Sequence, residues 1–267
     1  MIPEIDPRWV LIVLFTSLTY GVISPVAAAR RMYYFASSLP HSALLAAVVA
    51  YPLSTLLGGE PVLWALVTGV PLSYIVILLL QKGVSEEIAT AVFVSFSVSA
   101  SVAAIYYVLT RFPVRESLWS YIIGDPLLAS WHDVWYVALI SLLSLVLLIP
   151  FYRRQVLIGV DRDFVKLSGI RIKLYDYLFA TSLSLATIGL LKVVGFVMEH
   201  VLILLPASIA LNVARSSSQA LVASLTVSST ASLVGLTLAI LFNQVPSATI
   251  GFVLLAMYIA SLVGGRE

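Results

Sequence analysis

Residues 191–215 read LKVVGFVMEHVLILLPASIALNVAR, an apolar run that carries Lys192, Glu199 and His200 and then Pro206, followed by the small residues Ala207, Ser208 and Ala210. An Asp, Lys or Arg near the centre of a bilayer costs about 2.5–3.5 kcal/mol on an insertion scale, so ionisable groups at that depth normally face protein or water and mark a pathway. Passage of an ion is the chemistry this stretch can offer. The competing reading places all three groups at the outer end of two helices, half in the headgroups, where they cost little. Lys192 is a poor lining for a cation path. Its expected place is beside Glu199, seven residues on and so on a similar helix face, or among the headgroups by snorkelling. Pro206, like Pro40 earlier in the chain, is expected to kink its helix. Backbone groups freed by such kinks are tolerated only where they line protein or water, which makes both bends candidates for a pore wall.

The element that must position these groups is a membrane bundle. Sixty-one per cent of the residues are apolar and 10% charged, and the mean hydropathy is +1.05, whereas a soluble domain carries about 25% charged residues. A hydrocarbon core about 30 Å thick takes about 20 apolar residues per helix. With 267 residues and little between the apolar runs, the chain has no room for a soluble domain. The expectation is a single all-α transmembrane domain over residues 1–267, a polytopic helical bundle in which any coupled reaction comes from a partner. Cysteine is absent, which rules out a disulfide framework and thiolate metal ligands. The net charge of +2 is too small to point to nucleic acid.

About nine spans are expected, over residues 9–29, 33–57, 62–80, 88–110, 134–152, 174–194, 196–214, 221–242 and 248–263. The polar residues before Trp9 lack a basic leader and a small-residue cleavage site after a short core, so the first run is read as a retained span. Gly58, Gly59, Glu60 and Pro61 make a tight turn. Ser85 is placed to cap a helix whose first turn holds Glu86 and Glu87. That span carries Ser95, Ser97, Ser99 and Ser101 among alanines, and small residues that let helices approach in lipid favour an interior position. Residues 111–133 are polar and aromatic, with an apolar piece at 122–128 too short to cross, read as interfacial or re-entrant. Within it His132 and Asp133 sit between Trp131 and Trp135 and read as interfacial anchors.

The most hydrophilic part is residues 153–173. If it is cytoplasmic, alternation puts eleven basic residues inside (Arg30, Arg31, Lys82, Arg153, Arg154, Arg162, Lys166, Arg171, Lys173, Arg215, Arg266) and three outside (Arg8, Arg111, Arg115), a strong positive-inside bias. The N-terminus is then outside and the C-terminus cytoplasmic. Within this stretch VDRDFVKLSGI, residues 160–170, sets Phe164, Val165 and Leu167 among charges, with Gly169 suited to a helix C-terminus. A short amphipathic helix projecting from a bundle is the shape that docks in a groove on a partner. Connections in helix bundles usually take two to eight residues, so about twenty here favour a purpose over a plain connector.

Five stretches carry a family resemblance: ARRMYYFASSLPHSA at 29–43, YIIGDPLLASWHDV at 121–134, residues 161–170 with acidic residues ahead of a glycine, LKVVG at 191–195 with eleven residues from Gly195 to Pro206 in LLPASIA, and VPSATI at 245–250. In this order, over nearly the whole chain, they resemble the integral-membrane permeases of ATP-binding-cassette importers for zinc, manganese or iron(II), of the type II fold. The resemblance implies a homodimer around one central path, two ATP-binding subunits docked on residues 161–171, and an extracytoplasmic metal-binding protein at the outer surface. ATP would be bound by the partner, with no cofactor in this chain. Coupling then falls to Asp161, Asp163, Phe164, Leu167 and Gly169, while Lys192, Gly195 and Pro206 serve as hinge or packing residues.

Where such permeases commonly place an aspartate four residues before the histidine that His41 matches, this chain has Ser37. Where they have apolar or small residues it has Glu199 and His200. The missing carboxylate is thus replaced from another helix, and the divalent-metal path is lined by His41, Glu199 and His200. Nitrogen and carboxylate ligands suit zinc, manganese and iron(II), and the lack of sulfur disfavours copper(I). Adjacent helical residues point about 100° apart, so Glu199 and His200 do not aim at one spot. His41 lies about ten residues in from the cytoplasmic end, roughly 15 Å, with Glu199 and His200 near the outer face, which favours successive stations over one cage.

Two further permease readings, for siderophores or for cobalamin, want a wide cavity and usually a longer chain. An ATP-independent secondary transporter would show inverted repeats, and none is evident between the halves. An intramembrane enzyme is disfavoured because no HExxH occurs and Gly124-Asp125 lacks the partner glycine of an aspartyl site.

Overall fold

The computed structural model describes residues 5–112, 124 and 126–264. Among the described residues nine helices are long and apolar enough to cross a membrane. They are α1 (Pro7–Ala29), α2 (Tyr33–Leu57), α3 (Pro61–Gln81), α4 (Glu86–Arg111), α5 (Trp131–Leu148), α8 (Ile172–Val194), α9 (Phe196–Val213), α10 (Ser217–Phe242) and α11 (Pro246–Gly264), with the short α6 (Tyr152–Val160) and α7 (Arg162–Leu167) between α5 and α8. The expected all-α membrane bundle is what forms. Most of the expected reading of 111–133 falls on residues 113–123 and 125, outside the described residues; a 3₁₀ turn, Pro126–Leu128, then leads into α5.

Local chemistry sets the ends. Asp6 caps α1 by accepting the Arg8 N–H at 2.8 Å, with Pro7 in the first turn, where its missing donor costs nothing. Gly58 and Gly59, at φ 78° and 88°, turn the chain into α3, which Pro61 opens. Ser130 and Asp133 form a reciprocal capping box at the start of α5. Ser85 precedes α4 but its hydroxyl makes no cap bond. Glu86 instead reaches across to accept the Phe35 N–H at 2.8 Å, so the carboxylate expected to act on its own helix serves the start of α2.

Helices α1 and α8 form the enclosed centre. Helix α1 is largely buried between α5, α9 and α10, with Leu18 still exposed, and α8 between α2, α3 and α5. Close approach rests on small residues: the Ser228 hydroxyl donates to the Ser17 carbonyl at 2.8 Å, beneath which Gly21 leaves no room for a Cβ. Helix α4 does not take the interior place expected of it. Only Ala89, Thr90, Phe93, Ser97, Ser101 and Val108 of α4 are buried. Ser95 and Ser99 face outward, and the Ser95 hydroxyl bonds back to Ala91. Serines at every second position divide into two i, i+4 pairs on a 3.6-residue helix, Ser97 and Ser101 on the buried face and Ser95 and Ser99 on the outward one.

Helix α6 is pressed onto the end of α1. A Cβ on Gly159 would lie 2.0 Å from the Ala29 carbonyl oxygen and 2.5 Å from its carbon, both backbone atoms that cannot swing away. Gly159→Ala is expected to cost about 3 kcal/mol, the upper part of the overpacking range. Thermal unfolding of the purified protein checks it, and an unchanged midpoint would refute the contact.

Candidate functional site

Two of the candidate residues meet. The His41 ring of α2 lies 5.6 Å, centroid to centroid, from the His200 ring of α9 at an interplanar angle of 81°. Phe196, one turn before His200, packs against both, at 5.0 Å from His41 and 4.3 Å from His200. His200 sets its Nδ1 2.9 Å from the Phe196 carbonyl. A carbonyl only accepts, so Nδ1 is the donor in this contact, the orientation a backbone oxygen gives to metal-binding histidines. The Ser37 backbone faces the same ring. Its hydroxyl donates to the Tyr34 carbonyl at 3.0 Å within α2. Both imidazoles are half-buried and reach the surface of the chain.

This contact overturns the depth estimate that separated the histidines. His41 is 16 residues from the end of α2 at Leu57, about 24 Å, whereas His200 is in the second turn of α9. Helix α9 therefore begins well below the outer end of α2. The cause is Gly195, the single residue between α8 and α9, whose φ of 81° turns the chain back inside the bundle. Gly124, also at positive φ, lies so close that its Cβ would be 2.3 Å from the Gly195 nitrogen and from the Val194 carbonyl. Downstream, Pro206 lies within α9, and the next N–H, that of Ala207, donates to the Ser24 hydroxyl of α1 at 3.0 Å. A side chain from a neighbouring helix thus satisfies a backbone donor at the proline kink.

Glu199 takes a different direction from His200. It is fully buried, beside the Tyr20 hydroxyl of α1, which in turn meets Thr187 of α8. Neither carboxyl oxygen nor the Tyr20 oxygen completes a hydrogen bond of ordinary geometry among the described residues. The expected Lys192–Glu199 pairing is not made, because the turn at Gly195 breaks the continuous helix on which a seven-residue spacing means a shared face. Lys192 lies instead at a cavity of about 330 Å³ between α3, α5 and α8, with Glu60, His132 and Asp133 at its rim. No group of three or more His, Cys, Asp or Glu side chains is positioned to hold a metal among the described residues. The chain brings two imidazoles together, those of His41 and His200.

The hydrophilic stretch 153–173 is more ordered than a connector. Asp161 ends α6 and caps α7, accepting the Phe164 N–H at 2.8 Å. Asp163 lies in the first turn of α7, and Gly169 comes just after the helix at φ 76°. Val165, which the sequence grouped with the projecting apolar residues, turns inward onto Ile158, Ile172 and Tyr175. Phe164 and Leu167 turn outward, 57% and 87% exposed. Sequence reasoning passed over the polar cluster beneath them. Asp176, in the second turn of α8, accepts from the guanidinium groups of both Arg30 and Arg162. The only signal was one acid inside an apolar span.

Over residues 5–265 the sequence matches the model of the ABC 3 transport family. The chain belongs to that family. Among its relatives within reach of sequence comparison is a probable metal transport system membrane protein of Thermotoga maritima, 27% identical over 73% of this chain and 66% of that protein. Another is the manganese transport system membrane protein MntC of Halalkalibacterium halodurans, 25% identical over 74% of this chain and 65% of that protein. The chain thus aligns with just under two thirds of the length of each. The fold is also that of PsaBC from Streptococcus pneumoniae, solved in complex with Fab, with a TM-score of 0.80 at 20% identity over 96% of this chain and 90% of that one. The ABC 3 match takes in every feature described above, from the cap of α1 to α11.

Proposed function

We propose that this ABC 3 family protein is the membrane permease subunit of an ATP-binding-cassette importer that moves a divalent metal ion, zinc, manganese or iron(II), into the cytoplasm. The observation that carries the reading is the family match over residues 5–265, which runs through both the His41–His200 pair and the projecting helix α7. Two such chains form a homodimer, with a pair of ATP-binding subunits seated on α7 and an extracytoplasmic binding protein delivering the ion. The N-terminus is outside and the C-terminus in the cytoplasm, as the basic residues favour.

The chemistry suits passage better than storage. Two neutral imidazoles without a carboxylate are an incomplete shell for zinc, which takes four ligands, and for manganese, which favours oxygen. Two copies facing one axis would offer four imidazoles. A weak and partly open site lets the ion leave, as transport requires. The buried Glu199 contributes to the α1–α8–α9 packing and reaches the path only through its neighbour His200. When ATP closes the partner subunits, the α7 helices move together and the paired bundles open outward.

Uptake of zinc, manganese and iron(II) by vesicles containing the complete complex tests the reading. Uptake should require ATP hydrolysis by the partner, and equal uptake without nucleotide would refute it in favour of a secondary transporter. His41→Ala is expected to slow uptake by at least about tenfold, since even outer-shell partners of metal ligands are worth 10–100-fold, while the complex still assembles. Unchanged uptake would remove His41 from the path.

A further inference from the structure

The coupling region is tied to the bundle through one buried carboxylate. Asp176 of α8, 3% exposed, is held from two sides. From α1 comes Arg30, whose Nη2 meets Oδ1 while its Nη1 reaches the side-chain oxygen of Gln155 and, at 3.2 Å, the Tyr175 carbonyl. The Gln155 amide donates to that same carbonyl at 3.0 Å, and the Arg30 guanidinium lies 5.5 Å from the Phe179 ring centroid. From α7 comes Arg162, whose Nη2 donates to Oδ2 at 2.7 Å. The two arginines differ in one respect. The Arg30 side chain is 1% exposed and that of Arg162 is 53% exposed.

We propose that Asp176 is the joint through which movement of α7 reaches the transport path, and that Arg162 is its releasable half. Asp176 and Arg162 are positioning residues in this scheme: neither touches the ion. The joint has this role only if α7 receives the stroke of a partner ATPase, as proposed above. Release of Arg162 leaves Asp176 still paired with Arg30, so no buried charge is stranded and both arrangements are accessible. Helix α7 is built to make that move, a six-residue helix set between the extended Asp161 and Gly169 at φ 76°. From Asp176 the displacement has two continuous routes to α9. Helix α8 runs from Asp176 to Gly195, directly before Phe196 and His200. Helix α1, held at its end by Arg30, is fastened to α9 where the Ser24 hydroxyl receives the Ala207 N–H. A contact broken at the cytosolic surface is thereby read at the histidine pair, which is what coupling between sites requires: a two-state element that both ends bias.

Arg162→Gln in the complete complex, reconstituted in vesicles, tests this. The ATP-binding subunits should still co-purify and hydrolyse ATP, the melting temperature should stay near that of wild type, and metal moved per ATP should fall on the order of tenfold, within the usual range of coupling energies. Arg162→Lys, which keeps the charge, should restore most of it. A merely structural ion pair would shift stability and leave the transport-to-hydrolysis ratio alone. Wild-type transport per ATP in Arg162→Gln overturns the joint while leaving the ATPase-driven reading in place. Loss of the ATP-binding subunits from Arg162→Gln also overturns it, since Arg162 would then be a docking contact. If wild-type vesicles take up metal without hydrolysis, the underlying reading falls first. The chain contains no cysteine, so single thiols introduced on α7 and α8 can report the α7 displacement directly, and a distance that nucleotide leaves unchanged counts against the joint.

Discussion

Asp176→Asn is expected to destabilise the protein by about 3–5 kcal/mol, the cost of leaving a buried charge without its partner. Arg30 carries that charge. Its side chain is 1% exposed, and with the carboxylate gone its guanidinium keeps only neutral oxygens, those of Gln155, Tyr175 and the substituted amide. Arg162 also loses a partner, but at 53% exposed it turns to water. Arg162→Gln leaves Asp176 paired with Arg30 and strands no buried charge, so it should barely move the melting temperature. The contrast between the two variants is the test, read as thermal unfolding of purified protein. Equal stabilities for Asp176→Asn and wild type would mean that the cluster carries no buried charge, and the joint assigned to Asp176 would lose its permanent half.

The spans of this chain are legible because the signal is local. A run of apolar residues closed by Arg30 and Arg31, by Gly58 and Gly59, or by Asn243 to Pro246 ends a helix wherever the bundle places it, and α1, α2 and α9 begin and end within two residues of the expected limits. Partners across the bundle are not local. Arg30 and Asp176 are 146 residues apart, and nothing in either neighbourhood says that one faces the other. The same limit governed the candidate site. Glu199 and His200 were placed near the outer face because a helix start was equated with a membrane surface. The turn at Gly195 starts α9 inside the bundle, and the second turn of α9 meets His41. Helix α4 failed for another reason. Small residues permit close packing only on a shared face, and alternation puts just Ser97 and Ser101 on the inward one. Ser37, in turn, stands where the resemblance calls for a carboxylate, and it brings only a neutral hydroxyl, whose proton goes to its own helix.

The outward face of α7 carries the other large expected effect. Replacing Phe164 and Leu167 together with aspartate should detach the ATP-binding subunits, weakening their association by more than about a hundredfold. The estimate comes from area. Burying a Phe or Leu side chain is worth about 1.5–3 kcal/mol each, so losing both costs at least about 3 kcal/mol, and every 1.4 kcal/mol is tenfold. The two new carboxylates would add a desolvation cost if forced into the same groove. Folding should be spared, because at 57% and 87% exposure these side chains contribute little to the chain's own core. Val165 provides the control from one position away. It is 1% exposed and packs on Ile158, Ile172 and Tyr175, so Val165→Asp should unseat α7 itself and lower the melting temperature. Co-purification separates the cases. Retained ATP-binding subunits in the Phe164/Leu167 double variant would show that the partner grips some other surface, and α7 would lose its place in the transport cycle.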